Sequence, residues 1–215
     1  MKNKHSVILV DDHELVRAGI RTLLNSMPSL NVIGECGDGN EAISILENEC
    51  PDILVLDISL KGLNGIEVVK AVQRRKLPVK ILMLSMHNNV EYVARCLKSG
   101  ANGYLLKDAA VEELEPAVMA VLDGGSYVSN EIDAELLDRL LLEPRDCDSL
   151  LELLTGRQRQ ILQLIAEGYS TRQIAEAVNV SIKTVETHRA HIMSRLNIYD
   201  VAGLVRFAIQ EQLIH

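Results

Sequence analysis

Asp57 closes the run Ile53-Leu54-Val55-Leu56-Asp57. Four aliphatic residues with no polar side read as a strand covered on both faces, as in a parallel sheet. Chemistry in such sheets collects at the carboxyl ends of the strands. Three other apolar runs end in residues that would complete a site there. Val7-Ile8-Leu9-Val10 delivers Asp11 and Asp12, Lys80-Ile81-Leu82-Met83-Leu84 delivers Ser85, and Gly103-Tyr104-Leu105-Leu106 delivers Lys107. A carboxylate beside a cation is a competent nucleophile toward a phosphorylated donor, forming an aspartyl phosphate. Magnesium binds through one or two carboxylates together with phosphate oxygens and waters. Asp12 and Asp57 are the expected direct ligands, with the Ser59 carbonyl and Asp11 in support. Lys107 would neutralise a phosphoryl oxygen and Ser85 would donate a hydrogen bond to another. Singly, each has a plainer reading: Asp11 or Asp12 caps the helix that starts near Glu14, and Lys107 is merely solvated. That four strand ends converge is what the plainer reading leaves unexplained.

The elements that must position these groups alternate up to about residue 123. Strands are predicted at 6–10, 31–36, 53–57, 80–85 and 103–106. Helices are predicted at 14–26, 40–48, 65–75, 88–99 and 111–122, each with apolar residues at helical spacing, such as Val90, Val93, Ala94 and Leu97. Five such units predict an α/β doubly wound parallel sheet of five strands with right-handed crossovers, flavodoxin-like in class. Pro116 falls inside the last helix, where it removes a backbone donor and should kink it. Residues 124–148 read as a linker carrying one amphipathic helix. Ile132, Leu136, Leu137, Leu140 and Leu141 form its stripe, Asn130 can cap it, and Pro144 stops it.

From residue 149 onward the pattern is entirely helical and predicts an all-α domain of four helices. Ser170-Thr171-Arg172-Gln173 is a capping box for a short helix, Asn179-Val180 makes a tight turn, and Ser181 can cap a third helix reaching Leu196. Two short helices around such a turn form a helix-turn-helix. On the third helix Val185, Ile192 and Leu196 mark the buried side. Lys183, Thr187, Ala190 and Ser194 face the other way, flanked by Glu186 and His191. Such a small, polar face suits a DNA groove: Glu accepts from cytosine, and Thr meets a thymine methyl or a base edge. Lys183, Thr184, Arg189 and Arg195 are candidates for phosphate contacts. Periodicity alone also allows a solvated face. The fourth helix carries Val205, Ala208 and Ile209, which could pair two copies.

Charge divides the chain in the same place. Residues 1–148 hold 15 Lys/Arg against 24 Asp/Glu, and residues 149–215 hold 7 against 6. The first part is no polyanion binder, whereas the second can be a weak one, best as a dimer on an inverted repeat. No stretch approaches the ~20 apolar residues of a membrane span, and the amino terminus lacks a secretory apolar region, so a cytoplasmic location is expected. The four cysteines are far apart with no CxxC spacing, which points to neither zinc nor a disulfide framework.

Two sets of residues resemble known families. The acidic pair after the first strand, Asp57, Ser85 and Lys107 are similar to the receiver domain of two-component response regulators over residues 6–122. Tyr104 falls at that family's switch aromatic. Leu60-Lys61 replaces a common Met-Pro and leaves that loop's conformation open. LTGRQRQILQLIAEGYSTRQIAEAVNVSIKTVETHRAHIMSRLNI, with Thr184 to Arg189 (and thus His188) as its most specific part, resembles the DNA-binding domain of LuxR-type regulators over 153–210. Gly156 and Gln158 replace that family's usual Pro and Glu, predicting a less firmly started first helix. Together the halves resemble NarL/FixJ response regulators. The resemblance implies a sensor histidine kinase as partner, Mg2+ as cofactor, a phosphorylation-driven homodimer on double-stranded DNA, and RNA polymerase as a further partner. It implies a regulator and not an enzyme. A phospho-aspartate hydrolase would carry a second Asp two residues after the nucleophile, where this chain has Ser59. A regulator that senses through a partner or a thiol is the other alternative, left by Cys36 and Cys96.

Overall fold

The computed structural model describes residues 4–61, 63–142, 150–211 and 213–214. The chain divides into two compact units, Met1–Pro144 and Arg145–His215.

In the first unit, β1 (His5–Val10), α1 (Glu14–Ser26), β2 (Leu30–Cys36), α2 (Gly39–Glu49) and β3 (Ile53–Asp57) follow in order. Then come α3 (Gly65–Arg75), β4 (Lys80–Ser85), α4 (Val90–Lys98), β5 (Gly103–Leu106) and α5 (Ala110–Leu122). With β6 (Tyr127–Val128), all strands are parallel, in the order β2-β1-β3-β4-β5-β6. The order in which strands are added reverses between β1 and β3, so the carboxyl ends of these two strands border the crevice where such folds place their sites. Every residue of β3 is buried. Ile20, Leu24, Leu114 and Val118 of α1 and α5 pack on one face of the sheet. Side chains of α2, α3 and α4 pack on the other. Local chemistry starts the helices: Asp38, Asn64 and Asn89 each accept backbone N–H bonds from the first turns of α2, α3 and α4.

Three expectations are corrected. The sheet has six strands, because β6 (Tyr127–Val128) pairs with β5. Two residues are too short to show an alternating pattern, and the segment therefore reads as linker. The linker helix, α6 (Ala134–Leu142), belongs to the first unit: Ile132 and Leu137 are buried in the same core as α4, against which α6 packs. Its start is capped by Asp133, which accepts the Leu136 N–H at 3.0 Å, and not by Asn130. Pro144 and the expected tether Arg145–Asp148 lie outside the described residues. Pro116 lies inside α5, which extends from Ala110 to Leu122. Pro116 and Glu112, whose carbonyl loses its helical donor, are both exposed, so water can take that bond.

The second unit holds α7 (Gly156–Ala166), α8 (Thr171–Ala177), α9 (Ile182–Leu196) and α10 (Val201–Gln210) after a 3-10 turn at Leu150–Leu153. Ile161, Leu164, Ile174, Val185, Ile192 and Leu204 join in one core. α7 is started by a complete capping box: Gln158 N–H donates to the Thr155 hydroxyl, and Gln158 Oε1 accepts the Thr155 N–H at 2.9 Å. Gln158 thus does what a Glu does in that position. Among the described residues no helix is long and apolar enough to cross a membrane.

Candidate functional site

Strand register assembles the first site. Val10 of β1 pairs with Leu56 of β3, so Asp11 and Asp57 emerge side by side. Asp57 itself pairs with Leu84, which puts Ser85 next along the edge, and Ser85 pairs with Leu106, the residue before Lys107. Lys107 Nζ lies 2.8 Å from Asp11 Oδ2 and 2.9 Å from Asp57 Oδ2. Asp11 and Asp57 are almost fully buried. Among the described residues, no hydrogen bond beyond the Lys107 ion pairs reaches Asp11 Oδ2 or Asp57 Oδ2. Asp12 meets His13, whose Nδ1 is 2.8 Å from Oδ1. Neither Asp11 nor Asp12 is the N-cap of α1; His13 takes that position, and its N–H donates to Asp11 Oδ1 at 2.8 Å.

Three carboxylates around one buried ammonium leave an excess of negative charge. Burial foremost pushes the Asp57 carboxyl above its ordinary range, and Asp11 adds to this while Lys107 opposes it. Burial would lower Lys107, but the carboxylates of Asp57 and Asp11 outweigh it and raise the ammonium instead. Asp11, Asp12, His13 and Asp57 each present one ligand atom, all within 4.8 Å of one another. Carboxylate oxygens with unfilled lone pairs and surplus negative charge are a donor set that hard divalent cations take.

Ser59 meets Asp57 through its backbone N–H, 3.3 Å from Oδ1. Ser85 is buried and its hydroxyl accepts the His87 N–H at 3.0 Å. Tyr104 is fully buried, with its hydroxyl donating to the His87 carbonyl at 2.7 Å. The Leu60-Lys61 loop has a definite form: Leu60 is buried, Lys61 bridges to Asp38, and Lys61 Nζ stands 4.0 Å from Asp12 Oδ2.

Sequence reasoning passed over several residues that support this edge. Arg17 reaches the Asp11 carbonyl from α1. Asn64 and Gly65 start α3 directly behind Asp57, with the Gly65 N–H on the Ile58 carbonyl at 2.8 Å. The Asn-Gly pair was a readable cap signal, whereas Arg17 gave none. The two cysteines of the thiol alternative are buried, and burial pushes Cys36 up to about 11 and Cys96 up to about 12. Both stay protonated, without the thiolate character of a sensor.

In the second unit, α9 exposes Lys183, Glu186, Thr187, Ala190, His191 and Ser194, while Thr184, His188 and Arg189 are half-buried. Two hydroxyls are engaged locally: Thr184 lies 2.7 Å from the Ser181 hydroxyl, and Thr187 donates to the Lys183 carbonyl at 2.9 Å. Arg195 is turned to its own domain, donating to the Leu153 carbonyl and to Gln158 Oε1, both at 2.8 Å. Any phosphate contact from Arg195 would have to compete with these internal partners. The expected pairing stripe on α10 is corrected in part. Ala208 is fully buried in the domain's own core, Val205 is half-buried, and of the three only Ile209 is exposed.

A parallel sheet with a buried Asp-Lys edge and a helix-turn-helix unit define a class: regulators that couple an acidic receiver to DNA binding. Comparison with known proteins agrees. The response regulator receiver domain matches residues 7–119, and the luxR family of bacterial regulatory proteins matches 152–208. The response regulator UvrY of Escherichia coli is 36% identical over 208 residues, covering 97% of this chain and 95% of that one. The oxygen regulatory protein NreC of Staphylococcus epidermidis is 35% identical over 214 residues, covering 97% and 98%. A solved structure of RcsB from Salmonella enterica serovar Typhimurium, bound to promoter DNA in the presence of a phosphomimetic, is 27% identical with TM-score 0.57, covering 95% of this chain and 98% of that one. The chain belongs to the two-component response regulators that join a receiver to a LuxR-type DNA-binding domain.

Proposed function

We propose that Asp57 is the phosphoryl acceptor and that its modification controls sequence-specific DNA binding and transcription. The observation that carries this is the buried Asp57–Lys107–Asp11 cluster at the carboxyl edge of the sheet. In transfer from a histidine kinase, an Asp57 carboxylate oxygen attacks phosphorus while the bond from phosphorus to the donor imidazole nitrogen breaks. Asp12 and Asp57, with Asp11 and the Ser59 carbonyl in support, would hold Mg2+, which would supply neutralising charge to the transferring oxygens. Lys107 sits within reach of the acceptor carboxylate, and Ser85 and Tyr104 lie on the adjoining strands to respond to the new charge. The exposed face of α9, with Lys183, Glu186, Thr187, Ala190 and His191, reads the major groove, with Thr184 and His188 at its border. RcsB dimers are found on DNA. By the same logic, two phosphorylated copies of this chain bind an inverted repeat in the cytoplasm, with Ile209 and Val205 of α10 at the pairing helix and RNA polymerase as the downstream partner.

Incubation with acetyl phosphate and magnesium tests the reading. Intact-mass analysis should show one added phosphoryl group, absent from Asp57→Asn. Footprinting should then show two symmetric half-sites whose occupancy rises on phosphorylation. A full adduct on Asp57→Asn, or protection of a single half-site by monomer, would overturn it.

A further inference from the structure

The sixth strand is only two residues long, and its ladder with β5 ends at the Tyr104–Val128 pair. β5 continues to Leu106 and then presents Lys107, so the strand end that carries the lysine lies beyond the ladder. The next residue of the β6 segment, Ser129, takes over there. Its N–H donates to the Tyr104 carbonyl at 3.0 Å, and its hydroxyl accepts the Leu106 N–H at 2.9 Å. That hydroxyl donates onward to Glu113 Oε2 at 2.6 Å. A hydroxyl is the smallest group that accepts and donates at once, which this position demands. Ser129 is 1% exposed, so bulk solvent does not reach this position. Glu113 on α5 is held in turn by the Asn130 side chain at 2.8 Å and by Tyr127. Burial alone would raise the Glu113 carboxyl, but these donors outweigh it and hold it below the usual range.

We propose that Ser129, backed by Glu113, is a positioning residue that pins the carboxyl end of β5 and thereby sets where Lys107 meets Asp57. It rests on the reading of Asp57 as acceptor. The segment after α5, which looks like linker in the sequence, is on this account part of the phosphoryl-handling apparatus. Removing the hydroxyl leaves the buried Leu106 N–H without an acceptor and frees the backbone one residue before the lysine. Glu113→Gln keeps the Ser129–Leu106 bond and weakens only its brace.

The test uses the full chain with acetyl phosphate and Mg2+, reading the initial rate of phosphoryl incorporation. Ser129→Ala should slow it about five- to tenfold, a loss of the order expected for one buried unsatisfied donor. Glu113→Gln should slow it about twofold, and Ser129→Thr should restore most of the rate. The decisive measurement repeats Ser129→Ala and Glu113→Gln in a Lys107→Ala background. If Ser129 acts through the lysine, both effects disappear there. Unchanged rates in the single variants, or the same fold-loss with and without Lys107, would overturn the proposal. Should Ser129→Ala not fold, Glu113→Gln on the partly exposed face of α5 carries the same comparison. Absence of any adduct on the wild-type chain would instead count against Asp57 as acceptor.

Discussion

Gly65 and Asp57 meet backbone to backbone. A Cβ on Gly65 would lie 2.4 Å from the Asp57 carbonyl oxygen and 2.9 Å from Ile58 Cα. Both obstacles are main chain, so no flexible side chain can yield. Gly65 is not among the glycines at positive φ, and what the position requires is therefore space and not an unusual conformation. The missing side chain lets α3 begin against the end of the acceptor strand.

Gly65→Ala should therefore push β3 and α3 apart where Asp57 emerges. The expected cost is about 1–3 kcal/mol of stability, as for overpacking in a tight core. Phosphorylation by acetyl phosphate should fall at least about tenfold, since sub-ångström misplacement of reacting groups is costly. Gly19→Ala is the control: nothing lies within 4 Å of its Cβ, and in helix α1 it should be neutral or stabilising by up to about 1 kcal/mol. Denaturant titrations of the two variants check the contrast. A Gly65→Ala protein that phosphorylates like wild type would mean the strand end tolerates the shift.

The raised carboxyl of Asp57 makes a prediction about pH. Its native form holds the proton to higher pH than the unfolded chain does, because burial and Asp11 together outweigh Lys107. Native molecules then bind more protons than unfolded ones above the ordinary Asp value of about 3.9, and stability is lost as pH rises through the folded value. Asp57→Asn removes that loss. In the absence of divalent metal it should melt higher than wild type at pH 7, and the gap should close as pH approaches 4. Melting curves across that range decide it; a gap independent of pH would show that ionisation of Asp57 is not its origin.

Much of this edge could be read from apolar runs and the residues that end them. Asp11, Asp57, Ser85 and Lys107 are adjacent because strand direction alone sends every strand's carboxyl end to one side. The rest depends on tertiary partners that no local pattern announces. Tyr127-Val128 is too short for an alternation, and Ser129 matters only because Leu106 and Glu113 come to it from distant parts of the chain. Helical spacing marked which side of α9 is buried, yet it did not show that Arg195 turns back to Leu153 and Gln158. Nor did it separate Ala208, needed by the domain's own core, from Ile209, which is 50% exposed.

Pro116 offers a stability test away from the site. It stands on the exposed face of α5, where it denies a donor to Glu112 and is a poor helix residue. Pro116→Ala should stabilise the first unit by about 1–3 kcal/mol, less whatever entropy the unfolded chain regains. Phosphorylation rate should not change. Urea denaturation checks the sign, and a destabilised variant would mean that the proline's fixed φ matters more than its missing N–H.

Lys183 and Arg195 separate DNA contact from domain architecture within one helix. Lys183 is exposed at the start of α9, on the face proposed to enter the groove. Lys183→Ala should weaken binding to specific and nonspecific DNA alike and lower the slope of log K against log salt by about 0.9 for one lost phosphate contact. Amide exchange in the second unit should be unaltered. Arg195→Ala should do the reverse. Its guanidinium ties the carboxyl end of α9 to the Leu153 carbonyl and to the capping box of α7 through Gln158. Losing two charge-assisted bonds at a partly exposed site should cost about 1–2 kcal/mol. The loss should appear as faster exchange in α7 and the end of α9. Affinity should then fall only in proportion to the folded fraction, with the salt slope unchanged. If Arg195→Ala instead lowers the slope as Lys183→Ala does and leaves exchange untouched, the arginine leaves its internal partners for a phosphate when DNA binds.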